Sequence, residues 1–208
     1  MTKLKLNNVT LIALGSEKYR YQQQQQLDYS SRDIDFGAVK NVIVPTNTID
    51  EWNKAIVFDL ADYVDTDFAI LVHADGGVAN AKAWKDEWLQ YDYIASPFPL
   101  PTDTFSYRDI NGVIQRVGNS VALRSKKLMA LPKKIGMEWK PFHGFYNEDG
   151  YITVNMRHIF EANGCVFAPF EEAVQFGMET PLPEHEGLTP FVYHKNYGLN
   201  AYYPNYEI

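Results

Sequence analysis

A single cysteine, Cys165, stands in a chain of 208 residues. That scarcity excludes an internal disulfide and a cysteine-built zinc site, and it points to a reducing, cytoplasmic compartment. Cys165 itself reads as a small buried hydrophobe. No stretch approaches the roughly 20 apolar residues of a membrane span. The run Val9 to Leu14 follows two lysines but is short and lacks a small-residue cleavage site, so it reads as a first strand rather than a signal peptide. No Pro/Gly/Ser-rich linker divides the chain, and one domain over residues 1–208 is expected. Basic residues are sparse: 19 stand against 26 acidic ones, for a net charge of -7. No basic cluster exceeds Lys126-Lys127 or Lys133-Lys134, which argues against a nucleic-acid surface. An anionic ligand would therefore need a metal or a few local cations.

What the chain does hold is apolar and aromatic material, 46% and 14% of residues, enough for one sizeable core. Its elements alternate in the order of an α/β protein. Strands are expected at Val9 to Leu14, Val39 to Val44 and Phe68 to Val72, and again at Tyr91 to Ala95, where Pro97 and Pro99 should end regular pairing. A helix is expected over Glu17 to Ser31, with the Gln22 to Gln26 run as its solvated face. A second should start at Thr48 or Asp50 and bury Ile49, Trp52, Ile56, Leu60 and Tyr63 on one face. A short helix at Ala83 to Gln90, a hairpin around Asn111-Gly112, a helix from Glu148-Asp149 to Asn163-Gly164 and a last strand at Cys165 to Pro169 complete the order. The Tyr-rich tail from Pro190 has no periodicity and is expected to wrap the domain.

The most informative segment is Thr66 to Gly77. Phe68 to Val72 has almost no polar side chain, as in a strand buried on both faces, and it stops at His73, Asp75, Gly76 and Gly77. Open α/β sheets bind ligands at the carboxyl ends of their strands, where a carboxylate followed by glycines suits a metal and a phosphate. Asp75 is the first candidate site residue; a plain Asp-Gly turn is the alternative. Glu148 and Asp149 suit a helix start electrostatically. One of them can alternatively face the sheet edge and take a proton from an incoming hydroxyl.

The segments Asp62 to Gly77, Ala83-Trp84, Tyr91 to Pro97, Val117 to Ser120, Leu123 to Leu128, Asn147-Glu148-Asp149 and Phe167-Ala168-Pro169 occur together, in that order. Their order and spacing resemble a family of small, formerly uncharacterised GT-A-like glycosyltransferase domains of bacteria, fungi and viruses, over roughly Val9 to Gly198. The resemblance implies a GT-A-like nucleotide-diphospho-sugar transferase fold, with a mixed, mostly parallel central sheet flanked by helices. It also implies a metal-dependent, inverting transfer of sugar from a nucleotide-diphosphate sugar to a carbohydrate or glycoconjugate acceptor. Such folds carry Asp-x-Asp where this chain has His73-Ala74-Asp75, so the first aspartate is missing.

By the same resemblance, Asp75 and His194 would hold Mn2+ or Mg2+, and His73 would contact the donor or the metal, or simply fix the strand end. Asp149 would be the base and Glu148 would orient the acceptor, although two adjacent carboxylates can exchange roles. Leu14, Gly15, Ser16, Asn53 and Lys54 would grip the nucleotide. Gly118 and Asn119 would lie near the sugar, Arg124 or Lys126 near phosphate, and Gly150 would leave room beside the helix mouth. Trp139 to Tyr146 is the candidate acceptor loop, while Trp84, Trp88 and Phe98 suit the core or a sugar face. Two other readings remain open, a nucleotidyltransferase and a catalytically silent nucleotide-sugar or glycan-binding module. A partner domain or protein can complete the acceptor site.

Overall fold

The structure is a computed structural model that describes residues 2–140 and 147–195. Strands β1 (Leu4–Gly15), β2 (Ile34–Ile43), β3 (Phe68–Val72), β5 (Tyr93–Pro97) and β6 (Val117–Ser125) form one sheet in the order β2-β1-β3-β6-β5. β1 runs parallel to β2 and β3, whereas β6 runs antiparallel to β3 and β5. The sheet is thus mixed: four strands point the same way and β6 alone runs against them, giving two parallel and two antiparallel pairings. Helices α1 (Arg20–Ser30), α2 (Ile49–Phe58), α3 (Lys126–Ile135), α4 (Glu148–Gly150), α5 (Arg157–Ala162) and α6 (Phe170–Phe176) accompany it. A second sheet joins three short strands in the order β4 (Gly76–Val78), β8 (Val192–His194) and β7 (Gly177–Met178). No helix among the described residues is long and apolar enough to cross a membrane.

Strand alternation sorts the core into two layers. Leu11, Ala13, Ile70 and Val72 pack on one side with Leu27, Trp88, Phe176 and Phe191. Ile12, Leu14, Ala69 and Leu71 pack on the other with Ile56, Leu60 and Met129. β1 and β3 are therefore buried on both faces, which is why Phe68 to Val72 carries no polar alternation. α2 begins in a capping box: the Thr48 hydroxyl accepts from Glu51 N, and the Glu51 carboxylate accepts from Thr48 N. Asn163-Gly164 ends α5, with Gly164 at φ 78°.

Several expectations are corrected. Gln23 and Gln26 are buried rather than solvated. Gln26 accepts from the Tyr193 hydroxyl at 2.9 Å and donates to Ser30 Oγ, which itself accepts from Val78 N, so its polarity is spent on tying α1 to the small sheet. Ile49, at the first turn of α2, is 69% exposed, because the core face of that helix begins with Trp52. Ala83 to Gln90 forms two 3-10 turns, Ala81–Ala83 and Asp86–Gln90, rather than one helix. Pro97 still pairs with Val117. The Asn111-Gly112 turn closes only one bridge, Arg108 to Ile114. Cys165 to Pro169 is not a strand, since its one sheet-like contact is Phe167 beside Tyr93. Pro141 to Tyr146 of the expected acceptor loop, and the tail beyond Lys195, lie outside the described residues.

Candidate active site

The end of β3 turns sharply. His73 N–H donates to Gly76 O at 2.9 Å and Gly76 N–H returns to His73 O at 3.3 Å, leaving Ala74 and Asp75 at the tip. β4 then pairs antiparallel with β8, with Gly76 opposite His194. A side chain at position 76 would have no room: a Cβ there would come within 2.8 Å of the His194 ring. The glycine after Asp75 is thus needed to bring His194 close. Asp75 Oδ1 lies 3.5 Å from His194 Nε2. The His73 ring sits edge-on to both Trp52 and His194, at centroid distances of 5.1 Å.

One ligand atom from each of His73, Asp75 and His194 falls within 4.8 Å of the others. His73 Nε2 is buried with no hydrogen-bond partner among the described residues, as expected of a nitrogen whose partner is an ion. Burial and the neighbouring His194 push the His73 imidazole down to about 3, which keeps it neutral and able to ligate. The hydrogen bond with His194 is the main reason that Asp75 is held at about 2. Two imidazoles and an ionised carboxylate suit a divalent cation, so the residues present fit the metal that the sequence resemblance implies.

The carboxylates at α4 behave differently. Glu148 is buried and fully engaged: Oε1 accepts from Arg124 Nη2 at 2.7 Å, and Oε2 accepts from Ser120 Oγ at 2.9 Å and from Asp149 N at 2.7 Å. Its own N–H donates to Asn53 Oδ1. Asp149 faces the cavity, and burial, followed by the adjacent Glu148 charge, pushes its carboxyl up to about 7. A helix start favours the ionised form, but burial and the Glu148 charge outweigh it and the hydrogen bond that Asp149 accepts from Gly150 N–H.

A cavity of about 750 Å³ is lined by Leu14, Gly15 and Ser16 at the end of β1, by the Thr46 to Asn53 stretch except Asp50 and Glu51, and by His73, Asp75, Asn119, Glu148, Asp149 and His194. Several residues singled out from the sequence do not line it. Lys54 is exposed, because it lies on the outer side of α2. Gly118 is buried beneath Phe98 and Thr153, where a Cβ would lie 2.3 Å from the Phe98 ring. Neither candidate phosphate cation reaches the cavity: Arg124 is buried against Glu148, and Lys126 Nζ donates to Val64 O. Lys18 and Lys195 line it instead. A Cβ at Gly150 would meet nothing, so space remains beside Asp149. Trp84 and Trp88 pack with Phe191, and Trp139 packs on Phe58 and Tyr151.

Trp52, Ser120, Glu179 and Lys195 also line the cavity and were not singled out as its residues. Trp52 carried only a core signal, although its indole N–H donates to Leu14 O at 2.7 Å and its ring braces His73. Glu179 and Lys195 follow strands of two and three residues, too short to show a period.

The fold is similar to a solved structure described as "crystal structure of a glycosyltransferase involved in the glycosylation of the major capsid of PBCV-1", with a TM-score of 0.57 and 11% identity over 89% of this chain and 92% of that one. At that identity the likeness is one of fold. The chain belongs to the family described as "Protein of unknown function (DUF5672)", whose model matches residues 53–194. No curated protein matches it.

Proposed function

We propose that this chain is a single-domain, GT-A-like, divalent-metal-dependent glycosyltransferase that moves a sugar from a nucleotide-diphosphate sugar to a carbohydrate or glycoconjugate acceptor with inversion. The observation that carries this reading is the convergence, on one cavity, of the His73, Asp75 and His194 cluster and an Asp149 carboxyl held near 7. The fold likeness supports it. His73, Asp75 and His194 would hold the ion, and two imidazoles in the set favour Mn2+ over Mg2+. Bound there, the ion would neutralise the diphosphate and stabilise charge on the leaving nucleoside diphosphate.

The remaining roles belong to the chain's own groups. Leu14 to Ser16 and the Thr46 to Ile49 stretch form the part of the cavity open to the nucleoside, with Lys18 and Lys195 adding positive charge. Asp149 takes the proton of the acceptor hydroxyl as that oxygen attacks the anomeric carbon in line, and a base with a pKa near the working pH suits the task. Glu148, which accepts from Arg124, Ser120 and the Asp149 N–H, is assigned mainly to positioning Asp149 rather than to orienting the acceptor.

Calorimetry of nucleotide diphosphates and nucleotide-sugars with and without manganese, followed by NMR of the product's anomeric configuration, tests the reading. Manganese-dependent donor binding and an inverted product are expected. A retained configuration would overturn the single-displacement role of Asp149. Donor binding with no turnover on any glycan would favour a silent binding module.

A further inference from the structure

Glu179 follows β7, whose parallel register with β8 sets Met178 against Tyr193 and so places Glu179 beside His194. Its side chain is only 15% exposed. One carboxylate oxygen accepts from Asn119 Nδ2 at 2.5 Å. The other pairs with Lys195 Nζ and lies 3.7 Å from His194 Nδ1. Lys195 has a left-handed backbone, φ 65°, and its N–H donates to the Asp75 carbonyl at 2.9 Å. A strained non-glycine conformation is thus kept where the chain leaves β8 and turns its side chain onto Glu179. The His194 ring stands between two carboxylates, Asp75 on its Nε2 side and Glu179 on its Nδ1 side.

We propose that Glu179 is a positioning residue for the metal centre: its carboxylate accepts a hydrogen bond from His194 Nδ1–H, turns Nε2 toward Asp75 and the ion, and ties that ring to Asn119. This rests on the metal-dependent reading given above. Histidine ligands hold their geometry through the ring nitrogen that does not touch the metal, most often by donating to a carboxylate. An adjustment of about 0.7 Å brings the Nδ1 contact into hydrogen-bond range. Glu179 is not itself one of the three residues whose ligand atoms converge. A loose surface ion pair with Lys195 would not account for the buried Asn119 amide held on the same carboxylate. Because Asn119 lies on β6 and His194 on β8, the one carboxylate joins an inner strand of the main sheet to the small sheet.

The experiment is a titration of the full chain with Mn2+ alone, read by the loss of the free-ion electron paramagnetic resonance signal, in four proteins: unmutated, Glu179→Gln, His194→Ala and the double variant. Melting without metal checks that each is folded. Glu179→Gln is expected to weaken Mn2+ binding about 10- to 100-fold, but to change it less than about twofold once His194 is alanine, since the effect passes through that ring. Glu179→Asp, which keeps the charge but shortens the reach, should also lose affinity. Equal losses in both His194 backgrounds would mean direct ligation or a general charge effect and would overturn the proposal, as would unchanged affinity in Glu179→Gln. A second reading uses the unmutated chain loaded with Zn2+ as a diamagnetic stand-in. An Nδ1 proton of His194 that persists in water supports the hydrogen bond, and one lost to solvent exchange overturns it. If the unmutated chain binds neither ion, the metal-dependent reading falls and this inference falls with it; binding that ignores Glu179 removes this inference alone.

Discussion

Asp75 and Asp149 line the same cavity, and their surroundings drive them in opposite directions. Asp75 sits at the tip of an open turn and is held at about 2 by its bond to His194, whereas burial and Glu148 lift Asp149 to about 7. Residue type is the same in both places; neighbours decide the chemistry. A carboxylate that stays charged throughout the working pH range suits cation binding, and one that titrates near neutrality suits proton transfer. The divergence is the physical basis for assigning the two groups different tasks.

The largest expected effect tests the proton-transfer half. Asp149→Asn keeps size but loses the basic lone pair, so the transfer rate should fall by about two to four orders of magnitude with donor affinity preserved. Full transfer by that variant, in a steady-state assay, would end the distinction between the two carboxylates. Next, Glu148→Gln strips Arg124 of its buried partner and should cost about 3–5 kcal/mol of stability, read as a lower denaturant midpoint. In whatever fraction remains folded, the loss of Glu148's charge should lower the Asp149 pKa and move the acid limb of the rate profile to lower pH. Third, Asp75→Asn removes a direct ligand and should weaken Mn2+ binding by more than the roughly 10- to 100-fold typical of losing an outer partner, with little change in metal-free melting. Unaltered affinity in calorimetry would remove Asp75 from the centre.

The smallest effect is the pH profile itself. Asp149 acts only when ionised, so kcat/KM should fall about tenfold for each pH unit below 7. An ordinary exposed aspartate would leave the rate flat down to about pH 4, so a flat profile to pH 5 would contradict the raised value. The same shift bears on stability. A carboxyl whose folded pKa lies above its unfolded one favours the fold while protonated. That contribution is complete below about pH 4 and is lost as pH rises through about 7.

How much of this was legible in the chain depends on sequence distance. β3 and Asp75 could be read because burial on both faces leaves an apolar run, and the Thr48 start of α2 because its cap is written within four residues. The Glu148-Asp149 start was legible as a pair of acids. Which of the two is buried against Arg124 was not, because that depends on β6 passing beneath α4. The burial of Gln26 is illegible for a similar reason: its partner Tyr193 and the small sheet are remote in the chain, and Gln23 is buried beside Gly15, where it lines the cavity. His194 is legible as a ligand only through the family resemblance, since a three-residue strand carries no period of its own.

The pairing of Gly76 with His194 also sets an order of assembly. A ribosome has delivered every strand of the main sheet once Ser125 has emerged. The third ligand of the proposed metal centre arrives some seventy residues later, at the far end of the described chain. Competence to take up an ion therefore comes only after every strand of the main sheet has been made, and a protease that clipped the chain just ahead of β8 would disarm the centre while leaving the five-stranded sheet uncut.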